Sequence, residues 1–296
     1  MTLKDNRVGF IGCGKVGRTL ARALARCGYD VCAAFSRGGA AVDSFIGEIP
    51  SARRYADAQR LVDDCDFIWL TVADDAIGPV ADSLRWSSRH KVVHCSGATE
   101  IEVLHKVVQD GGTIGGFHPL QMFTNPQVAL KGLPGCTVGI EAQGGFHGEL
   151  EQLALQLRCT PFRIPPGTRA LYHASAYYVG PFLIALLSEA ATLWRAFGAT
   201  ERQALDALLP LLSGTVAAVQ DAGLARGMGG CVARGDVGTV QRHLQALGGF
   251  DPAMQARYRQ LALRTVPLGI ERGTLAPDLA DRIEEILQSR HGSAET

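Results

Sequence analysis

Val8-Gly9-Phe10-Ile11-Gly12-Cys13-Gly14-Lys15-Val16-Gly17 is the stretch on which the reading of this 296-residue chain turns. Val8 to Ile11 is a short apolar run that reads as a buried strand and ends in a G-x-G-x-x-G cluster. From Lys15 to Cys27 the apolar residues Val16, Leu20, Ala23, Leu24 and Cys27 recur at helical spacing, and Gly28 ends the segment. Each glycine has a task in a strand–turn–helix that holds a dinucleotide. Gly12 permits the tight turn, Gly14 lets the backbone approach a pyrophosphate, and Gly17 lets helix and strand pack closely. The helix N-terminus offers free N–H groups and partial positive charge to phosphate. Gly9 to Val16 also comes close to G-x-x-x-x-G-K-[ST], but Val16 lacks the hydroxyl that would hold magnesium, which argues against a nucleoside triphosphatase.

Working outward, Val31–Phe35 reads as a second strand, and Asp66–Val72 and Lys91–Cys95 as further buried strands. Helical stretches near Ile77–Leu84 and Glu100–Val107 follow them. Thr113–Phe117, Thr137–Glu141 and Pro161–Ile164 read as later strands, with a helix between the last two. Such alternation predicts an α/β domain whose mostly parallel sheet is covered by helices. The pattern changes at Pro165-Pro166-Gly167. Beyond it only helical periodicity is found: Thr168–Phe197, with a kink or break expected at Gly180-Pro181, then Glu201–Arg226, Val237–Leu247, Pro252–Arg272 and Pro277–Arg290. The expected division is 1–165 for the α/β domain and 166–296 for an all-helical one, with a frayed tail from His291.

Lys plus Arg total 29 and Asp plus Glu total 29, so the formal charge is zero. A nucleic-acid binder or a polybasic membrane-surface protein would carry a cationic excess. The lysines are Lys4, Lys15, Lys91, Lys106 and Lys131, so no lysine chemistry can come from the second half. Eight cysteines show no Cys-x-x-Cys spacing or zinc pattern. The polar start, Met1 to Arg7, does not resemble a signal peptide, and the apolar stretch Val179–Leu187 is too short to span a bilayer. The expectation is a reduced, cytoplasmic protein that binds neither nucleic acid nor membrane.

The second strand ends in Phe35-Ser36-Arg37, without the acid that an NAD site places there for the ribose 2′-OH. Ser36 can hydrogen-bond a 2′-phosphate and Arg37 can pair with it, so NADP is the expected cofactor; the competing reading leaves Arg37 as a solvated loop residue. Ligands of open α/β sheets lie beyond the strand C-termini. Val72, Ala73, Ser96 and Gly97 are therefore expected to line the cofactor alongside Gly12, Gly14, Lys15, Val16 and Gly17. Asp74 and Asp75 read first as caps of the next helix.

Further motifs resemble one family. Leu70-Thr71-Val72-Ala73-Asp74-Asp75-Ala76-Ile77, His94-Cys95-Ser96-Gly97 and Phe117-His118-Pro119-Leu120-Gln121-Met122-Phe123 follow the glycine loop. Tyr172-His173-Ala174-Ser175-Ala176 and Ala233-Arg234-Gly235-Asp236 with His243 complete an ordered set over nearly the whole chain. The set resembles the Rossmann-like oxidoreductases with domain of unknown function 2520, distantly similar to pyrroline-5-carboxylate reductase and ketopantoate reductase. The resemblance implies a doubly wound Rossmann domain for NADP and a C-terminal helical domain that often dimerises. The chain departs from the family in two places. Gly180-Pro181 stands where a Ser-Asn pair is usual, and Gly230-Cys231-Val232 replaces the usual Gly-Pro before Ala-Arg-Gly-Asp.

His118 and His173 are the candidate catalytic groups, as proton donors or substrate ligands. The plainer readings are a loop-bonding His118 and an interface His173. Gln121, Tyr177 (one turn from His173) and Arg234 are the candidate substrate ligands; Asp236 reads first as an N-cap and His243 as structural. Related ketoacid reductases use a lysine of the second domain, which this chain lacks, so a histidine or water must supply any proton. The expected function is NADPH-dependent reduction of a small polar carbonyl or imine in a cleft between the two domains, in a homodimer. A ketopantoate reductase-like enzyme and a non-catalytic NADPH-binding sensor are the competing readings.

Overall fold

The computed structural model describes residues 3–289. Its eight strands are β1 (Arg7–Ile11), β2 (Asp30–Phe35), β3 (Arg53–Arg54), β4 (Phe67–Leu70), β5 (Lys91–His94), β6 (Thr113–Pro119), β7 (Thr137–Ala142) and β8 (Thr160–Arg163). They form one sheet in the order β3-β2-β1-β4-β5-β6-β7-β8. The first six are parallel; β7 pairs antiparallel with β6, and β8 runs parallel to β7. Sheet order reverses direction from β1: chain connections run outward to β2 and β3, then return to β4 beside β1. Ligand clefts form at such a switch point.

The helices interleaved with these strands are α1 (Lys15–Arg26), α2 (Gly39–Glu48), α3 (Ala58–Asp64), α4 (Asp74–Asp82), α5 (His105–Gln109, after a 3-10 turn at Ile101–Leu104), α6 (Pro126–Gly132) and α7 (Phe146–Gln156). Strand residues alternate between two cores, as a sheet covered on both faces requires. Phe67 and Trp69 enter one core and Ile68 and Leu70 the other. In the first, Phe10 stacks on Trp69 at 5.7 Å and Phe117 meets Trp69 edge-on at 5.3 Å.

Three helices and one strand were not anticipated. The strand β3 is an exposed Arg53-Arg54 pair with no apolar pattern, pairing with Ala33 and Ala34. The helices are α2, α3 and α6. Two carried usable start signals, since Asp57 caps α3 through the N–H groups of Gln59 and Arg60, and Asn125-Pro126 caps and opens α6. The expected caps Asp74 and Asp75 are corrected: Ala73 occupies the N-cap position of α4, and both acids lie inside its first turn. Asp236 does cap its helix, accepting from Thr239 N–H.

After β8 the chain is helical, with α8 (Arg169–Val179), α9 (Pro181–Ala196), α10 (Glu201–Gly227, interrupted at Gly223), α11 (Val237–Phe250), α12 (Pro252–Arg272) and α13 (Pro277–Gln288). The break at Gly180-Pro181 falls where expected. By compactness the chain divides after Phe182, not at 165, so α8 belongs to the sheet-containing unit. The reason is Arg169. Its side chain is fully buried, donates to the carbonyl of Ser96 just beyond β5, and lies 3.5 Å from Glu141 on β7. Glu100 accepts from the backbone N–H groups of Gly167 and Arg169, and so takes the place of a local cap for α8.

The second unit has its own core, built on Val240, Leu244, Val266 and Ile283. His243 accepts or donates at Nδ1 with the Tyr258 hydroxyl at 2.9 Å, in keeping with a structural role. By length and composition Arg169–Ala196 and Glu201–Gly227 are each apolar enough to cross a membrane, which the shorter window read from the sequence did not register. The expected end of the last helix at Arg290 and the tail from His291 lie outside the described residues.

Removing the Arg169 side chain leaves Glu141 buried without a counter-charge and the Ser96 carbonyl without its donor. Arg169→Ala is expected to cost about 3–5 kcal/mol in urea unfolding. A loss below about 1 kcal/mol would show that α8 is held by other contacts.

Candidate active site

The glycine loop has the stereochemistry that its three roles require. Gly12 has φ +103°, and a Cβ there would lie 2.5 Å from the Thr71 carbonyl oxygen. A Cβ on Gly17 would lie 2.6 Å from both Gly12 O and Thr71 Oγ1, so helix α1 and strand ends meet too closely for any side chain. A Cβ on Gly14 would meet nothing within 4 Å, leaving that backbone open to a ligand. Gly14 is also the N-cap of α1 and makes no side-chain cap, so the helix start, with Lys15 and Val16, is free to receive phosphate. Cys13 points inward, where burial pushes its thiol up to about 12.

A cleft of about 640 Å³ opens over this loop at the C-terminal ends of β1, β2 and β4. Gly12, Gly14, Ser36, Arg37, Val72 and Ala73 line it, and Arg37 is the one charged residue among its lining. These features fit a dinucleotide with an extra phosphate: an open backbone for the pyrophosphate, an apolar bed, and an arginine with no acid beside it at the end of β2. Lys15, Val16 and Gly17 stand behind the loop in α1.

Ser96 and Gly97, beyond β5, are not among the residues lining that cleft and stand beside a second cluster. Ser96 Oγ donates to Asp74 Oδ2 at 2.7 Å, next to Ala73, and accepts from the N–H groups of Ala98 and Thr99. A Cβ on Gly97 would lie 2.4 Å from His173 Nδ1 and 2.9 Å from His118 Nε2. The two candidate histidines, 55 positions apart in sequence, thus converge on one glycine, with ring centroids 5.5 Å apart and planes perpendicular. His173 Nδ1 is buried without a hydrogen-bond partner. Tyr177 stands edge-on to His173 at 5.7 Å.

His118, His173, Gln121 and Tyr177 line a second cavity of about 380 Å³ together with Gly180-Pro181, and no Asp, Glu, Lys or Arg lines it. Gln121 is engaged, donating to the Ala129 carbonyl at 3.1 Å. Arg234 is exposed in a 3-10 turn of the second unit.

Burial, then His173 and Arg169, hold the His118 imidazole down at about 4. It is therefore uncharged at neutral pH and acts there as a hydrogen-bonding group, not as an imidazolium acid. Burial likewise holds His94 at about 3, with Arg169 and His118 adding to it. His94 accepts from Ser96 N–H at Nδ1, and its Nε2 is unpartnered. Burial raises Glu141 and lowers Arg169, so for both ends of that ion pair desolvation outweighs attraction. Sequence reasoning missed Arg169, Tyr172, His94 and Glu100 as parts of the site, and weighed Asp74 between lining the cofactor and capping the next helix. Tyr172 and His94 lay inside the motifs quoted above, whereas nothing local marks Arg169 or Glu100.

A histidine with a lowered pKa takes up fewer protons folded than unfolded as pH falls below 6.5. The chain should therefore lose stability from about pH 6.5 downward, until the folded values of about 4 and 3 are reached. By pH 5 the loss is on the order of 1–2 kcal/mol per histidine. Urea unfolding at pH 7 and pH 5 checks this, and His118→Gln should remove its share of the difference. A His118→Gln curve with the wild-type pH slope would contradict the assignment.

Residues 7–96 match the family described as NADP oxidoreductase, coenzyme F420-dependent, and residues 136–265 match the domain of unknown function DUF2520. No curated protein matches the chain in a sequence comparison. Among solved structures it resembles protein TM1727 from Thermotoga maritima, with TM-score 0.73 and 19% identity over 90% of this chain and 99% of that one. A reductive aminase from Aspergillus terreus, in complex with NADPH and ethyl-5-oxohexanoate, gives TM-score 0.60 and 14% identity over 97% and 93%. A 1-pyrroline-5-carboxylate reductase from Streptococcus pyogenes gives 0.60 and 12% over 95% and 98%. At these identities the likeness is one of fold, a Rossmann-like domain followed by helices. The family match over residues 7–96 is to an NADP oxidoreductase family, and the Aspergillus terreus neighbour is described in complex with NADPH.

Proposed function

With one segment matching an NADP oxidoreductase family and another matching DUF2520, we propose that the chain binds NADPH over the glycine loop and reduces a small polar C=N or C=O compound beside Gly97. The observation that carries this reading is the convergence of His118 Nε2 and His173 Nδ1 on Gly97, directly past the end of β5. Bound there, the cofactor supplies a hydride. The chain's own residues do the rest. Arg37 and Ser36 take the 2′-phosphate, the open N-terminus of α1 takes the pyrophosphate, and Val72 and Ala73 bed the apolar faces. His118 and His173 orient the heteroatom of the substrate's double bond, and Tyr177 and Gln121 bound its space.

Because His118 is uncharged at neutral pH, it can donate a hydrogen bond to the heteroatom but not act as an imidazolium acid, which favours a C=N substrate, more readily protonated by water than a ketone. The protein is further proposed to act in the cytoplasm as a homodimer. Support for the dimer is the apolar surface of α10, where Leu211 and Leu224 are each 67% exposed.

NADPH is expected to bind more tightly than NADH in a fluorescence titration, and Arg37→Ala to weaken NADPH roughly 10- to 100-fold while leaving NADH unchanged. Equal binding of the two by the wild type would sink the cofactor assignment. NADPH oxidation screened against cyclic imines and 2-keto acids should show turnover with the imines; tight NADPH binding with no oxidation would instead favour a sensor. In sedimentation the wild type should weigh twice its 31.5 kDa chain and Leu211→Glu should shift it toward the monomer. A monomeric wild type at micromolar concentration would exclude the dimer.

A further inference from the structure

The antiparallel register of β6 and β7 sets His118 opposite Gly139. That glycine makes room for an aromatic ring. A Cβ on Gly139 would lie 2.8 Å from both Cζ and the hydroxyl oxygen of Tyr172, and 2.5 Å from Ile164 Cδ1. The Tyr172 ring fills this slot from α8 and meets His118 edge-on, with centroids 5.5 Å apart at 89°. Its hydroxyl lies 2.9 Å from His118 Nδ1.

A neutral imidazole carries one proton, on Nδ1 or on Nε2, and the partner of one nitrogen decides which. A phenol O–H is a stronger donor than a neutral imidazole N–H, and an imidazole nitrogen is a stronger acceptor than a phenol oxygen. The phenol proton then has His118 Nδ1 as its acceptor. Burial pushes the Tyr172 phenol up to about 12, so it keeps this proton at any working pH. Among the described residues His118 Nε2 makes no hydrogen bond, and it faces Gly97 together with the unpartnered Nδ1 of His173.

We propose that Tyr172 is a positioning residue: by donating to Nδ1 it holds His118 with its proton on Nε2, so that a fixed N–H donor faces Gly97 and the buried Nδ1 of His173. This rests on the functional reading above in placing substrate at Gly97, but the tautomer itself does not depend on that reading. Gly139 and Tyr172 then act as one device, in which the missing side chain on β7 admits the ring that sets a proton on β6. The consequence for chemistry is a hydrogen-bond donor aimed at a substrate heteroatom without the cost of burying a second positive charge beside Arg169.

The test uses the full chain labelled with 15N-histidine, with long-range 1H–15N spectra at pH 7. The His118 signals are assigned by their loss in His118→Gln. The expected result is a protonated Nε2 and an unprotonated Nδ1 in the wild type. In Tyr172→Phe the Nδ1 signal should move toward the protonated range, while the His243 signals, set by Tyr258 in the other unit, stay in place. A wild-type His118 protonated at Nδ1, or evenly mixed, overturns the proposal without recourse to any variant. So does an unchanged His118 pattern in a Tyr172→Phe protein whose His243 signals are native. NADPH titration of the same samples separates the two readings: absent binding would remove the cofactor assignment and leave the tautomer result standing.

Discussion

Arg169 is buried to the last atom in the sheet-containing unit, with a carbonyl from the end of β5 on one side and a carboxylate from β7 on the other. Neither end gains from the pairing as charge, since burial drives both toward neutrality. What the pair supplies is place. Fixing Arg169 fixes the first turn of α8, and Tyr172 and His173 follow one turn later. The convergence on Gly97 therefore depends on a residue that touches neither cleft. The same charge also helps to keep His94 and His118 unprotonated, so one arginine sets both the position and the charge state of the histidine cluster.

A second constraint is closeness of approach. Gly12, Gly17, Gly97, Gly116 and Gly139 each stand where a Cβ would come within 3 Å of a neighbour. At Gly12 and Gly17 the neighbour is the backbone and hydroxyl of Thr71, which sets the loop against the end of β4. At Gly116 it is the Arg169 guanidinium; at Gly97 it is the histidine pair. This end of the sheet is thus shaped as much by side chains that are missing as by those present, and a side chain at any of these glycines would displace its neighbour.

Legibility differed by element for physical reasons. The apolar periodicity of β1, α1, β2, β4 and β5 was plain, because each is buried and local burial writes a local pattern. The two-arginine β3 left no pattern, since pairing with β2 makes it a strand. Asp74 was misassigned as a cap because an acid at a helix start satisfies the local rule. Only the fold brings Ser96, 22 positions away, to offer a stronger use for that carboxylate. His118 and His173 were singled out individually, but nothing in sequence could say that they share a glycine.

From the sequence alone came the order of seven of the eight strands and of the helices other than α2, α3 and α6, the glycine loop, the arginine without an acid at the end of β2, and the absence of lysine from the second half. These are local facts: burial, turn stereochemistry and residue identity act within a few positions and can be read there. Tertiary structure alone decided that α8 docks on the sheet, that Glu100 caps it from 69 positions away, and that Tyr172 reaches His118 through the gap left at Gly139. Those contacts arise from chain crossings between distant strands and helices, and a buried charge or a hydrogen bond of that kind leaves no periodic trace in the residues that make it.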